Sequence, residues 1–85
     1  MSDFTAPPGW DVVDGKLHRE FGFAGFAEAF GFMSACALVA EKMDHHPNWS
    51  NVYNTVIVDL WSHDADAITD RDLTLATRMN ELAGE

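Results

Sequence analysis

An 85-residue chain that is 47% apolar and 22% charged holds enough for one hydrophobic core, burying at most about 60–65% of its unfolded surface, and lies far from the composition of disordered chains. A formal charge of −9, with only five Lys and Arg scattered along the sequence, excludes a phosphate-backbone ligand and hence a direct nucleic-acid partner. The single cysteine, Cys36, excludes an intramolecular disulfide and a multi-cysteine zinc site; its place in an apolar helical run predicts a small core residue rather than a reactive thiol.

The N-terminal Met1-Ser2-Asp3-Phe4-Thr5 carries no basic region followed by an apolar stretch, and no run of about 18 apolar residues occurs, so a soluble, cytoplasmic protein with no membrane partner is expected. Pro7-Pro8-Gly9 breaks regular structure and sets residues 1–9 apart as an N-terminal tail, either loose or an arm docked by Phe4, ahead of a single domain over 10–85. Asp14-Gly15 supplies the positive φ angles of a two-residue type I′ hairpin between Trp10–Val13 and Lys16–Phe23. In the second segment Leu17, Phe21 and Phe23 alternate with His18, Glu20 and Gly22, the period of a strand with one wet face. His18, on that wet face, is expected to be merely exposed.

From about Phe26 to Met43 the period becomes helical. Phe26, Phe30, Met33, Ala37 and Ala40 form one stripe, and Ala29, Phe32, Cys36, Val39 and Met43 a neighbouring one. A helix on one small sheet needs a single buried face, so the second stripe points to another helix or another subunit, and Gly31 to a close backbone approach. Pro47 disfavours helical angles at His46, which ends the helix by His45 and leaves both histidines in the exit loop. Trp49 to Trp61 is β-rich, with a turn between two strands somewhere in Asn51 to Thr55. Thr69 reads as the N-cap of a last helix, with Asp72 in the capping-box position, Ile68 stapled onto Leu73, a buried face of Leu75, Met79 and Leu82, and Gly84 as the stop. The order is strand, strand, helix, strand, strand, helix: an α+β fold with helices stacked on one face of an antiparallel sheet.

Glu41-Lys42-Met43-Asp44-His45-His46-Pro47-Asn48-Trp49, with Tyr53 and His63 downstream, gathers three of the four histidines with carboxylates and aromatics about one helix end. Imidazole changes charge between about pH 5 and 8, which suits proton transfer or metal ligation. Neighbouring histidines in an extended segment point to opposite sides, so a metal site of His45, His63 and Glu41 or Asp44 needs a bent loop, and zinc spacings such as His-Glu-x-x-His are absent. The same residues read structurally as a polar helix end capping carbonyls. Read as acid/base chemistry, they gain meaning from Trp49, Tyr53 and Trp61, which can wall a flat heterocycle or simply pack. Asp72 is explained by capping alone, yet a carboxylate at a helix start can also hold a histidine tautomer.

The run Glu41 to Trp49, then Asn51-Val52-Tyr53-Asn54, Leu60-Trp61-Ser62-His63, and Thr69-Asp70-Arg71-Asp72-Leu73 with Leu75-Ala76, closely resembles the pterin-4a-carbinolamine dehydratases. Phe30-Gly31-Phe32-Met33 and Leu17-x-Arg19-x-Phe21-x-Phe23 extend the resemblance over about Trp10 to Ala83. It implies a four-stranded antiparallel sheet with helices on one side, assembled as homodimers or homotetramers. It also implies loss of water from a 4a-hydroxytetrahydrobiopterin to give quinonoid dihydrobiopterin, recycling the tetrahydropterin cofactor of aromatic amino acid hydroxylases, without metal or organic cofactor. Carried over, His45, His46, His63 and Asp72 match the family's catalytic positions, and Glu41, Asp44, Trp49 and Ser62 fall where residues line the pterin pocket. The alternative is a pterin-binding or dimerisation module serving molybdenum-cofactor metabolism or transcription-factor docking. Two departures stand out: Ala24-Gly25-Phe26 where the family often has an acidic N-cap, and Ala65-Asp66-Ala67-Ile68 where a glycine-bearing turn is commoner.

Overall fold

The computed structural model describes residues 4–85. Asp14 and Gly15 take positive φ angles of 53° and 76°, as a type I′ turn requires, and join β1 (Asp11–Val13) to β2 (Lys16–Gly22) with Val13 opposite Lys16. The chain continues through α1 (Phe26–Met43), β3 (Asn48–Val52), β4 (Thr55–Leu60) and α2 (Asp70–Leu82). The four strands form one antiparallel sheet in the order β1-β2-β4-β3. The β3–β4 hairpin turns at Tyr53, φ 51°, inside the expected window.

Alternation along β2 and β4 sends Leu17, Phe21, Val56, Val58 and Leu60 to the helix side, where all are buried. Against them pack Ala29, Phe32, Cys36 and Ala40 of α1 and Leu75, Ala76 and Met79 of α2. The Phe32 ring lies 4.7 Å from Phe21 and 4.9 Å from Phe23, placing an aromatic cluster beneath the start of α1. Burial pushes the Cys36 thiol up to about 12, consistent with an inert core residue. The α1 N-cap, Gly25, offers no side-chain cap, and Glu28 instead reaches back to accept the Ala24 N–H.

Three expectations meet a different arrangement. Of the two apolar stripes on α1, that of Ala29, Phe32 and Cys36 is core, while the other is split: Ala40 is buried and Met33 packs on the core, but Phe26 and Phe30 are 52% and 54% exposed and left uncovered by the described residues, as is Leu38, outside both stripes, at 76%. A Cβ at Gly31 would meet nothing within 4 Å, so among the described residues no close approach requires that glycine. His18 is half-buried, and its Nδ1 lies 2.8 Å from Asp59 Oδ1 across the β2–β4 pair; sequence could not pair residues that meet only through strand register. At the other end of the chain Phe4 and Ala6 pack on the core, and the Pro8 carbonyl accepts the Asn80 Nδ2–H at 2.9 Å.

Candidate active site

Two helix ends build the site. At the end of α1 the Asp44 N–H donates to the Glu41 carbonyl and the His45 N–H to the Ala40 carbonyl, the paired bonds of a Schellman motif. The left-handed residue this motif needs is Asp44, φ 53°, a position more often held by glycine. The turn folds His45 back over the sheet, leaving its side chain 8% exposed, while His46, constrained by Pro47, stays outside.

At the start of α2, Asp72 occupies the third helical position and is completely buried. Its Oδ2 accepts the Thr69 backbone N–H at 2.9 Å, the capping bond read from the sequence, and the Ser62 hydroxyl at 2.9 Å. Its Oδ1 lies 2.5 Å from His45 Nε2. A carboxylate in the first turn also meets the positive end of the helix dipole. With Nε2 engaged, Nδ1 is the His45 ring nitrogen left for a ligand.

Ser62 is completely buried. It opens a short loop in which the Ser62 N–H donates to the Ala67 carbonyl at 2.9 Å, with Asp66 at φ 51° in the turn where glycine is commoner. The loop presents His63 outward, its ring 4.4 Å from that of Trp61, and Lys16 Nζ lies 4.2 Å from the same Trp61 ring.

Asp44, His45, His46 and His63 open onto one cleft of about 220 Å³, walled further by Trp61, Asp64 and Arg71. Asp72 and Ser62 form the layer beneath His45 and have no exposed surface. Glu41 stands on the rim, bonded to His46 Nε2 at 3.0 Å. Trp49 is not brought to this cleft: it packs against the core and borders a separate hollow of about 460 Å³ with Asn48, Ser50, Ile57 and Asp59. Tyr53 is 62% exposed at the far end of β4.

Sequence reasoning assigned no part to Arg71 or Asp64. Arg71 Nη2 donates to Asp64 Oδ1 at 2.7 Å, and that bond holds the Asp64 carboxyl below the usual carboxylate range. The available signal was position: Arg71 follows the N-cap and directly precedes Asp72, so it belongs to the same helix end. Among the described residues no three His, Cys, Asp or Glu side chains converge as metal ligands would, and no helix is long and apolar enough to cross a membrane.

A strand pair, helix, strand pair and helix enclosing a histidine-lined cleft define a class of small α+β proteins, and comparison with known sequences and structures assigns the family. Residues 2–82 match the family described as pterin 4 alpha carbinolamine dehydratase. A protein of Afipia carboxidovorans, provisionally named pterin-4-alpha-carbinolamine dehydratase, is 59% identical over 78 residues, covering 89% of this chain and 78% of that protein. One of Solibacter usitatus, named in the same provisional way, is 57% identical over 74 residues, covering 87% of this chain and 78% of its own length. A crystal structure from Brucella melitensis, described as a transcriptional coactivator/pterin dehydratase, superposes with a TM-score of 0.87 at 48% identity, covering 91% of this chain and 84% of that one. A pterin dehydratase-like protein described as a RuBisCO assembly factor of the alpha-carboxysome shares the fold, with a TM-score of 0.74 at 23% identity over 89% of this chain and 88% of that one. The chain belongs to the pterin-4a-carbinolamine dehydratase family.

Proposed function

We propose that this protein catalyses the dehydration of a 4a-hydroxytetrahydropterin to the quinonoid dihydropterin, with His45 and His63 as the acid/base pair. The observation that carries the reading is the His45–Asp72 contact. An imidazole bonded through Nε2 to a fully buried carboxylate, beside two further histidines in one cleft, is built to hold and release a proton at Nδ1.

The reaction needs that proton. Hydroxide is a poor leaving group, so the C4a–O bond breaks with its electron pair going to an oxygen that takes a proton from an imidazolium and departs as water. The lone pair of the adjacent ring nitrogen forms the new C=N bond, and the N–H proton passes to the second histidine acting as base. Asp72 holds His45 in orientation and stabilises its cationic form by charge, as a buried carboxylate does for a catalytic imidazole elsewhere. His46, tied to Glu41, contacts the ring edge, and Asp44 and Trp61 bound the cleft; Ser62 acts from below rather than on the substrate. The substrate's role in recycling an aromatic amino acid hydroxylase cofactor belongs to the same proposal.

The exposed apolar side chains of Phe26, Phe30 and Leu38 on α1 favour self-association into a homodimer or homotetramer as part of this reading, because large apolar side chains left on a helix surface are a common feature of protein interfaces; light scattering at micromolar concentration tests it. The enzymatic reading is tested by following freshly generated 4a-hydroxytetrahydropterin by absorbance with a chelator present. Acceleration that persists with chelator and falls about 10²- to 10⁴-fold in His45→Ala or His63→Ala is the expected result. Near-full activity in both variants would sink the assignment.

A further inference from the structure

Thr69 enters the sequence reading only as a helix cap, but its hydroxyl does more than cap. Its Oγ1 lies 2.6 Å from Ser62 Oγ, whose own contact with Asp72 Oδ2 is 2.9 Å, and Asp72 Oδ1 meets His45 Nε2 at 2.5 Å. The chain Thr69–Ser62–Asp72–His45 therefore runs unbroken from a helix cap to the cleft.

Donor counting gives this chain one direction. An ionised carboxylate only accepts, and a hydroxyl carries one proton. Ser62 must spend its proton on Asp72, so the Ser62–Thr69 contact has to use the proton of Thr69. Asp72 Oδ2 is then occupied by Ser62 and by the Thr69 backbone N–H, which leaves Oδ1 aimed at His45. Oδ1 accepts, so His45 must carry its proton on Nε2 and present the Nδ1 lone pair, or in the cation the Nδ1–H, to the cleft. Among the described residues no buried side-chain N or O atom lacks a partner, so every buried member of the network is satisfied.

We infer that Ser62, itself held by Thr69, is a positioning residue that anchors Asp72 Oδ2 so that Oδ1 stays aimed at His45 Nε2, and that this pair of hydroxyls thereby keeps His45 as the Nε2–H tautomer. Their hydroxyls touch no substrate and act only through Asp72. The inference rests on the proposed acid/base role of His45 for its catalytic consequence, but the tautomer itself is a property of the protein without substrate.

The test uses the full chain labelled with ¹⁵N-histidine, and long-range ¹H–¹⁵N spectra that separate the two neutral tautomers from the cation. Wild type is expected to show neutral His45 as the Nε2–H tautomer. Thr69→Val keeps the β-branched shape and the backbone N–H that Asp72 accepts but removes the hydroxyl, and with it the side-chain half of the capping box, while Ser62→Ala removes the link itself and leaves the cap in place. Each is expected to give His45 a mixture of tautomers and to lower kcat about 10- to 100-fold with KM unchanged, by analogy with the loss of outer partners of metal-bound histidines. Thr69→Ser is expected to restore both readouts; because serine also restores the helix cap, the His45 tautomer signal, which loss of a cap alone would not change, carries the distinction. Unchanged Nε2–H signals in folded Thr69→Val and Ser62→Ala, or a wild-type His45 protonated on Nδ1, would overturn the inference. Were wild type to show no dehydratase activity, the tautomer spectra alone would still decide the question, so failure of the enzymatic reading and failure of this one are separable.

Discussion

Helix α2 carries a buried polar side chain at each end, and the two differ in what lies beyond them. Near its start Asp72 collects Thr69, Ser62 and His45, and past His45 the network opens onto a cleft. Near its end Asn80 collects the Trp10 indole N–H at 2.9 Å, an Arg19 N–H at 2.6 Å and, through its own amide, the Pro8 carbonyl at 2.9 Å. Arg19 continues to Glu85, and the helix closes with a Schellman pair in which the Glu85 N–H donates to the Asn80 carbonyl and Gly84 takes φ 93°. The Asn80 cluster is satisfied inward and staples the N-terminal arm to the domain. The Asp72 cluster leaves one ring nitrogen for a ligand. Burial and hydrogen bonding are alike at the two ends; the open valence distinguishes a site from a staple.

The comparison can be broken most severely at Asp72. Asp72→Ala leaves the Ser62 hydroxyl, the Thr69 N–H and His45 Nε2 without their common acceptor, and is expected to cost about 3–5 kcal/mol, because three buried donors each lose a bond to a charged acceptor at about 1–3 kcal/mol apiece. Urea unfolding measures it, and a loss below 1 kcal/mol would mean the network contributes little to holding the two helix ends together.

Asn80→Ala strips three partners at the other end but leaves no formal charge without a counterpart, since Arg19 keeps Glu85. The expected loss is about 1–3 kcal/mol, with the dehydration rate unchanged below the melting temperature. The smallest of the three effects is at Gly9. Its φ is 84°, and a Cβ there would lie 2.6 Å from the Arg19 guanidinium, so Gly9→Ala is expected to cost about 1–2 kcal/mol through left-handed backbone strain together with displacement of that side chain. A double mutant with Asn80→Ala sharpens the reading: with Arg19 released, the Gly9 penalty is expected to shrink, and strict additivity would show that the arm and the staple are independent.

What the sequence disclosed follows interaction range. The Asp14-Gly15 turn, the bounds of α1, and the start of α2 at Thr69 with Asp72 reaching back are local, set by residues within four positions of one another, and the structure has them where the sequence placed them. Gly84 as the stop of α2 is local too. The second oxygen of Asp72 is not: it meets a histidine 27 positions away, and no periodicity encodes that. The Trp10–Asn80 bond spans 70 positions and had no sequence signal beyond a polar residue in an apolar stripe. Strand register explains the remaining surprises, because it sets His18 against Asp59 and turns Trp49 toward the core with Val58. The pieces of the candidate site were therefore legible as residue types about one helix end. Their sorting into a cleft layer of Asp44, His45, His46 and His63 and a buried layer of Asp72 and Ser62 required the fold. Phe26 and Phe30 of α1 show the converse, since their apolar period was visible in sequence and none of the described residues covers them.

The central claim is that the Asp72 end serves proton transfer and the Asn80 end serves only stability. The most direct measurement is the dehydration rate of freshly generated 4a-hydroxytetrahydropterin by wild type, Asp72→Asn and Asn80→Ala, each at a temperature where circular dichroism shows it folded. Wild type is expected to accelerate the reaction, Asn80→Ala to match it, and Asp72→Asn to lose about 10²-fold or more in kcat, as expected when a catalytic imidazole loses the carboxylate that orients it. Equal rates for Asp72→Asn and Asn80→Ala, or a wild-type rate no faster than the uncatalysed reaction, would contradict the account.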